Sequence, residues 1–168
     1  MDKSKEIILI IASNAAVAAF YVVLTLITYP ISFLGIQFRF AEILVLLCFF
    51  RKDYTIGLVL GCAIANIPSA IGIVDVGFGS LATLIACMGI MFCKHLGIAI
   101  LFPILSNSFI VGFELWKFLG EPFWLSVGLV AIGETTVMIV GYIFFMIIKR
   151  RPRFYNVILA KQNIGFKW

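Results

Sequence analysis

The chain has 168 residues, of which 63% are hydrophobic and only 12% are charged. Because a soluble domain is about half apolar, this composition excludes an ordinary soluble domain and indicates a polytopic membrane protein. The net charge of +5 does not indicate a nucleic-acid surface, since six of the 13 basic residues follow the last apolar run, where positive charge marks the cytoplasmic side.

The first apolar run, residues 7–29, predicts a membrane helix preceded by Lys3 and Lys5. It is too long for the apolar region of a signal peptide, so we expect it to remain as an anchor. Small residues four apart give it a flat face, on which another helix can approach closely: Ala12, Ala15, Ala16 and Ala19. Packing within the chain and packing against a partner subunit are both open.

Pro30 and Gly35 end this first span, and a polar loop leads into a shorter second span over residues 40–50. Three polar residues lie at the entrance to the second span: Gln37, Arg39 and Glu42. Arg39 and Glu42 are three apart, so on a helix they share a face and can form an ion pair; a plain ion pair and a role in binding are both open.

The third span begins near Tyr54 and carries an amide, Asn66, near its far end. A polar side chain in hydrocarbon is costly unless it faces a cavity or a neighbouring helix, so Asn66 predicts either an interhelical hydrogen bond or a ligand contact. Small residues recur every four positions along this helix and predict close packing: Gly57, Gly61, Ala65 and Ser69.

A break follows at Pro68 and Gly72, and the fourth span is predicted over residues 78–92. Between the break and this span, Asp75, Gly77 and Gly79 predict a turn, so Asp75 is either a turn or cap residue or part of a binding site.

The fifth and sixth spans, predicted over residues 96–115 and 123–148, carry acids in their apolar runs. Asn107 and Glu114 are seven apart and lie on one helix face. Glu134 lies about 16 Å along the sixth span, where an unpaired carboxylate is unlikely to be structural filler. A turn between the two spans is predicted over residues 116–122.

Several kinds of chemistry have no pattern in the chain. There is no Walker A phosphate-binding loop, no nucleophile elbow and no cysteine or histidine spacing typical of a metal site. The four cysteines lie in or beside apolar runs and are expected to be packing thiols. The sequence therefore predicts no enzyme, no metal and no cofactor.

The distribution of basic residues predicts the orientation of the six spans. With both termini in the cytoplasm, only Arg39 and Lys117 lie outside, and the other 11 basic residues lie inside. The acids and amides then gather in the outer half of the bundle. They do not form a polar file through the membrane, as a channel requires.

The motifs GCAIAN, DVGFGSLATLIA, IQFRFAE, SNSFIVGFEL and VGLVAIGE together resemble the QueT family, the substrate-binding S components of energy-coupling factor (ECF) transporters. The similarity extends from the first span to about residue 154. It implies an all-α integral membrane protein with six transmembrane helices and a substrate-binding domain at residues 1–154. The tail at 155–168 lies beyond the similarity and is predicted to be cytoplasmic from its positive charge. The similarity also implies import of a queuosine precursor, a 7-deazaguanine base, by way of an ECF coupling subunit and two cytoplasmic ATPases.

The resemblance gives the alanine face a role, because the first helix of S components docks on the coupling subunit. Ala41 and Pro68 depart from the expected family pattern and bear on which deazaguanine fits, the aminomethyl form or the larger queuine. We expect the substrate to contact a set of polar residues in the outer half: Gln37, Arg39, Glu42, Asn66, Asp75, Asn107, Glu114 and Glu134.

Physical chemistry suggests roles for some of these residues. One carboxylate can accept both N–H donors of a guanine-like edge, and Glu134 is the first candidate and Glu114 the second. Asp75 would meet an aminomethyl cation, and aromatic side chains would stack on the ring: Phe38, Phe78 or Trp116. Two other functions stay open, a proton-coupled secondary transporter and a membrane scaffold whose acids only join helices.

Overall fold

The computed structural model describes residues 3–29, 37–151 and 153–154. Within these residues the chain forms six helical segments and no strand, which confirms an all-α fold. The segments are α1 (Lys3–Ile27), α2 (Phe40–Phe50), α3 (Tyr54–Asn66), α4 (Ile73–Met91), α5 (Leu96–Leu119) and α6 (Phe123–Ile148). Pro30, Gly35 and the tail from 155 to 168 lie outside the described residues.

Four of these helices are long and apolar enough to cross a membrane: α1, α4, α5 and α6. The other two are shorter. α3 has 13 residues, and α2 joins seven residues of 3-10 helix to four of α-helix, so each rises about 20 Å against a hydrocarbon core of about 30 Å. A multi-pass membrane protein is therefore confirmed, whereas six complete helical spans remain a prediction.

The short helix α2 lies at the centre of the bundle. It contacts α1, α3, α4 and α6, while the other five helices pack in the order α1–α3–α4–α5–α6 around it. Nearly every side chain from Ala41 to Phe50 is buried or half-buried, which explains why this segment is apolar on all sides. Glu42 is its one acid and is fully buried.

The small-residue face of α3 packs against α1. A Cβ atom at Gly57 would lie 2.5 Å from the backbone oxygen of Asn14, and one at Gly61 would lie 2.9 Å from Cβ of Tyr21. The Gly57 N–H also donates a hydrogen bond to Asn14 Oδ1 at 2.8 Å. The predicted close approach on this face is confirmed at both glycines, with α1 as the partner.

The prediction for the start of the fourth span was wrong. α4 begins at Ile73, directly after Gly72 with its φ of +53°, so Asp75 lies in the first helical turn and Gly77 and Gly79 lie inside the helix. In an apolar environment the backbone must satisfy its own hydrogen bonds, which favours helix even where glycines occur.

The predicted turn at residues 116–122 begins too early for the same reason. α5 continues through Trp116 and ends at Leu119, where Gly120 adopts the left-handed conformation with φ +74° that commonly terminates a helix. Only the last three residues of the predicted turn, Gly120 to Pro122, lie outside helix.

Candidate binding site

All eight polar residues predicted to meet a substrate are buried. Their relative exposure ranges from 0% at Glu42 and Glu114 to 7% at Gln37. They come from five different helices or their ends. Some lie where α2 and α4 begin or near the ends of α3 and α5, and two lie near the middle of a helix, Asn107 in α5 and Glu134 in α6. Such a gathering of acids and amides is costly in an apolar bundle, so each contact they make is informative.

Glu42 is the centre of this group. The Tyr21 hydroxyl on α1 donates a hydrogen bond to Glu42 Oε1, and Thr83 on α4 donates to the same oxygen at 3.4 Å. The second carboxylate oxygen, Oε2, is buried without a hydrogen-bond partner among the described residues. Three helices therefore hold this carboxylate in place while one oxygen stays available.

Asn107 on α5 lies beside the carboxylates of both Glu42 and Glu134. Neither its amide nitrogen nor its amide oxygen completes a hydrogen bond of good geometry within the described chain, and Glu134 Oε2 is also without a partner. The two acids and the amide form a buried group that can both donate and accept hydrogen bonds.

Arg39 and Asp75 form the ion pair of the site. Arg39 Nη2 lies 3.2 Å from Asp75 Oδ1, and both side chains are about 95% buried. The spacing in the sequence had suggested Glu42 as the partner of Arg39, but the observed ion pair joins the entrance of α2 to the first turn of α4 instead. Asp75 is thus engaged by a cation of the protein itself.

Asn66 acts mainly within the protein. Its amide nitrogen donates to the backbone oxygen of Asp75 at 3.2 Å and approaches Cys62 Sγ at 3.4 Å. This is the interhelical hydrogen bond that the sequence allowed as one of two roles, and it ties the end of α3 to the start of α4.

Glu114 differs from the other acids of the group. It is fully buried, its charged neighbours are Asp75 and Arg39, and both of its carboxylate oxygens are without a hydrogen-bond partner in the part of the chain that is described. The side-chain oxygen of Gln37 is also buried and unpartnered.

Two glycines bring backbone close to the site. A Cβ atom at Gly133 would lie 2.2 Å from the backbone oxygen of Gln37, and one at Gly79 would lie 2.3 Å from the amide nitrogen of Asn66. Gly133 therefore lets the chain entering α2 lie directly on α6, next to Glu134. The absence of a side chain at these positions is what permits the arrangement.

Two of the three aromatic candidates, Phe78 and Trp116, belong to a row of neighbouring rings on α4 and α5. Phe78 stacks on Phe113 with ring centroids 6.0 Å apart, and Phe113 in turn contacts Trp116. Phe113 and Trp116 are 40% and 45% exposed, so the α5 part of this row lies on the outside of the bundle, whereas Phe78 is half-buried. Of the three aromatic candidates, half-buried Phe38 is the one adjacent to Arg39 in the chain.

Sequence reasoning missed Tyr21, Thr83 and Gly133. A signal existed for Tyr21, because a buried tyrosine hydroxyl usually finds a hydrogen-bond partner, and this one lies in an otherwise apolar helix. Thr83 and Gly133 had no comparable signal, since threonine and glycine are ordinary in membrane helices.

A second surface concerns the alanines of α1. Ala12, Ala15, Ala16 and Ala19 are all exposed, whereas Asn14 on the same helix is buried against α3. The sequence left two roles open for these alanines, packing within the chain and packing against a partner subunit. Since all four are exposed, the flat face is not covered by the described part of the chain.

In chemical terms, the site can accept N–H groups and cations through its carboxylates and can donate through Asn107 and Arg39. No group of three or more metal-ligating side chains occurs among the described residues.

Comparison with known proteins agrees with a transport role. The QueT transporter family model matches residues 11–150. The curated queuosine precursor transporter QueT of Lactococcus lactis subsp. cremoris (strain MG1363) is 35% identical over 160 residues, covering 84% of this chain and 91% of that protein. No solved structure matches the chain. Since the family model and this relative both cover most of the chain, the protein belongs to the QueT transporter family, whose members are transporters and not enzymes.

Proposed function

We propose that the protein is the substrate-capture membrane subunit of an ATP-driven ECF importer and that it binds a queuosine precursor, a 7-deazaguanine base such as the aminomethyl form or queuine. The observation that carries the proposal is the buried group of Glu42, Asn107 and Glu134, which keeps unpartnered oxygens and an unpartnered amide in the middle of an apolar bundle. Groups of this kind are stabilised when a polar guest completes their hydrogen bonds.

A deazaguanine has hydrogen-bonding groups that match this set. Its guanine-like edge presents two adjacent N–H donors, which one carboxylate accepts, and a ring carbonyl, which the Asn107 amide can reach as a donor. In this proposal Glu134 accepts the N–H pair and Glu42 is held beside it by Tyr21 and Thr83. Gln37, Arg39, Asn66 and Asp75 complete the wall of the site.

The proposed orientation has both termini in the cytoplasm and the site in the outer half, because this arrangement leaves Arg39 and Lys117 as the only basic residues outside. The substrate would then be captured from outside. The flat, exposed alanine face of α1 would meet the coupling subunit, and the two ATPases would supply the energy.

Binding tests the capture role. Purified protein in detergent is titrated with 7-aminomethyl-7-deazaguanine, queuine and guanine, and Glu134→Gln is measured beside it. We expect saturable binding of a deazaguanine by the wild type and a loss of about 10–100-fold in affinity for Glu134→Gln, because a charge-assisted hydrogen-bond pair is replaced. Wild-type affinity in Glu134→Gln would remove Glu134 from the site.

Uptake tests the proposed partners. The double change Ala15→Leu with Ala19→Leu fills the flat face and should abolish ATP-dependent uptake while leaving ligand binding intact. Thr136→Leu, a change at a position on α6 that is also exposed, is the control and should transport normally.

The alternative is a secondary transporter that moves protons through Glu134 or Glu114. It is favoured by the unpartnered state of these acids, and it predicts uptake by the chain alone in vesicles with a proton gradient. Uptake that needs the ATPases and ignores the gradient would contradict it.

A further inference from the structure

The carboxylates of the site fall into two groups with different surroundings. Glu42 receives two hydroxyl donors, and the Asn107 amide lies beside the carboxylates of both Glu42 and Glu134. Glu114 has no such donor: both of its oxygens are unpartnered among the described residues, although the side chain is fully buried. Glu114 and the group of Glu42, Asn107 and Glu134 are therefore suited to bind different parts of a substrate.

Acidic side chains outnumber basic ones in the buried group. Across the described part of the site there are four acids, Glu42, Asp75, Glu114 and Glu134, and one base, Arg39. Arg39 makes a 3.2 Å ion pair with Asp75. The three glutamates have no such ion pair among the described residues, and a buried carboxyl group is favourable as a charged carboxylate only when a cation lies beside it.

Asp75 had been the sequence-based candidate for meeting a positively charged substituent. Its ion pair with Arg39 makes it a poor acceptor for a second cation. Glu114 lies within electrostatic range of this pair, has two oxygens without a hydrogen-bond partner among the described residues, and lies seven residues from Asn107 on the same face of α5. It is thus placed to meet a group that projects from a ring bound between Asn107 and Glu134.

We infer that Glu114 is a specificity-determining residue that receives an ammonium group of the substrate, so that the protein selects a positively charged deazaguanine over a neutral one. The inference rests on the proposed function and adds the charge class of its substrate. An organic cation fits better than a metal ion, because no group of three metal-ligating side chains occurs in the described chain.

The test compares two ligands and three proteins. The ligands are 7-aminomethyl-7-deazaguanine, which carries a primary ammonium, and unsubstituted 7-deazaguanine, which is neutral. The proteins are the wild type, Glu114→Gln and, as control, Glu121→Gln, which removes an exposed acid just beyond the same helix. Affinities are measured by calorimetry at pH 7 in sodium buffer and in choline buffer.

We expect the wild type and Glu121→Gln to prefer the charged ligand by about 10–100-fold, the range of a buried charge-assisted contact. Glu114→Gln should bind both ligands within about threefold of each other, with the neutral ligand bound as in the wild type. Retained binding of the neutral ligand also shows that the variant is folded.

Other outcomes separate the two proposals. If the wild type binds neither base, the proposed function fails. If the wild type binds both bases equally, or if Glu114→Gln keeps the preference, the inference about Glu114 fails while the function stands. Binding that depends on sodium in the wild type and not in Glu114→Gln would assign the carboxylate to a metal ion and would also overturn the inference. Should Glu114→Gln bind nothing, Glu114→Asp decides: a preserved preference supports the inference and a lost one contradicts it.

Discussion

The two ends of the bundle both bury their side chains but differ in how completely their polar groups are hydrogen-bonded. We call the end around Phe50 the apolar end and the end that holds the candidate site the polar end. At the end where α2 finishes, Phe50 contacts Phe145 and Phe154 with ring centroids 5.5 and 5.3 Å apart. The buried cation there, Arg51, makes two hydrogen bonds to Asp53 at 2.7 and 2.5 Å and lies over the ring of Tyr54. This end is completed by groups of the chain itself.

At the other end, equally buried acids and amides keep unpartnered atoms. Burying a polar group without a hydrogen bond costs about 1–3 kcal/mol in proteins, so this end is held together less well by its own contacts. The comparison teaches that burial alone does not identify a site. What distinguishes the polar end is that its hydrogen bonds are incomplete, and a guest that completes them would stabilise it.

The largest expected effect tests the apolar end. Phe145→Ala removes a ring that is 2% exposed and contacts Phe50 and Phe154. In soluble cores such a change costs about 3–5 kcal/mol, and here we expect a value at or below the low end because lipid solvates apolar groups as well as the core does. Thermal unfolding in detergent measures the loss.

Repeating the measurement with bound deazaguanine tests whether the two ends are coupled. Phe145→Ala should lower the unfolding temperature with and without deazaguanine by the same amount, because the two ends act separately. A ligand-induced shift that disappears in this variant would show that the ends are coupled and would break the comparison.

The sequence predicted the helices and the burial of the polar residues better than it predicted the contacts of the polar end. The lengths of the apolar runs predicted two helices closely, since α2 and α6 begin and end at the predicted residues, whereas the start of α4 and the end of α5 were missed by about one turn. The hydropathy pattern also predicted that eight polar residues would avoid lipid, since each has a large cost there. All eight are buried.

Partner choice within the polar end could not be predicted. Arg39 and Asp75 are 36 residues apart, and their ion pair depends on α4 starting at Ile73 rather than five residues later. The approach of Gln37 to Gly133 likewise depends on how α2 crosses α6. Spacing along one helix says which residues share a face, but not which face of another helix they meet.

An intermediate effect tests the polar end through its backbone. Gly133→Ala places a Cβ atom 2.2 Å from the backbone oxygen of Gln37, so the chain entering α2 must move away from α6. We expect at least a tenfold loss of deazaguanine affinity, because a shift of about 1 Å misplaces the hydrogen-bonding groups. Calorimetric titration measures it.

Gly128→Ala on the same helix is the matched control, since nothing lies within 4 Å of its added Cβ atom. It should bind as the wild type does. If Gly133→Ala also binds normally, the contact between Gln37 and α6 does not shape the site, and the polar end is less constrained than the comparison requires.

The smallest effect, and the only one expected to raise stability, comes from a pair of glycines in the first half of α4. Gly77→Ala adds a methyl group in open space and should stabilise the protein by about 0.5–1 kcal/mol, because alanine loses less backbone entropy in a helix. Gly79→Ala gains the same helix propensity but places its methyl group 2.3 Å from the Asn66 amide, which must then turn away from the Asp75 backbone oxygen. We expect the loss of that hydrogen bond to cancel the gain, so that thermal unfolding separates the two variants by about 1 kcal/mol. Equal stabilisation by both would mean that Asn66 moves without cost, and the tie between α3 and α4 would then contribute nothing to the polar end.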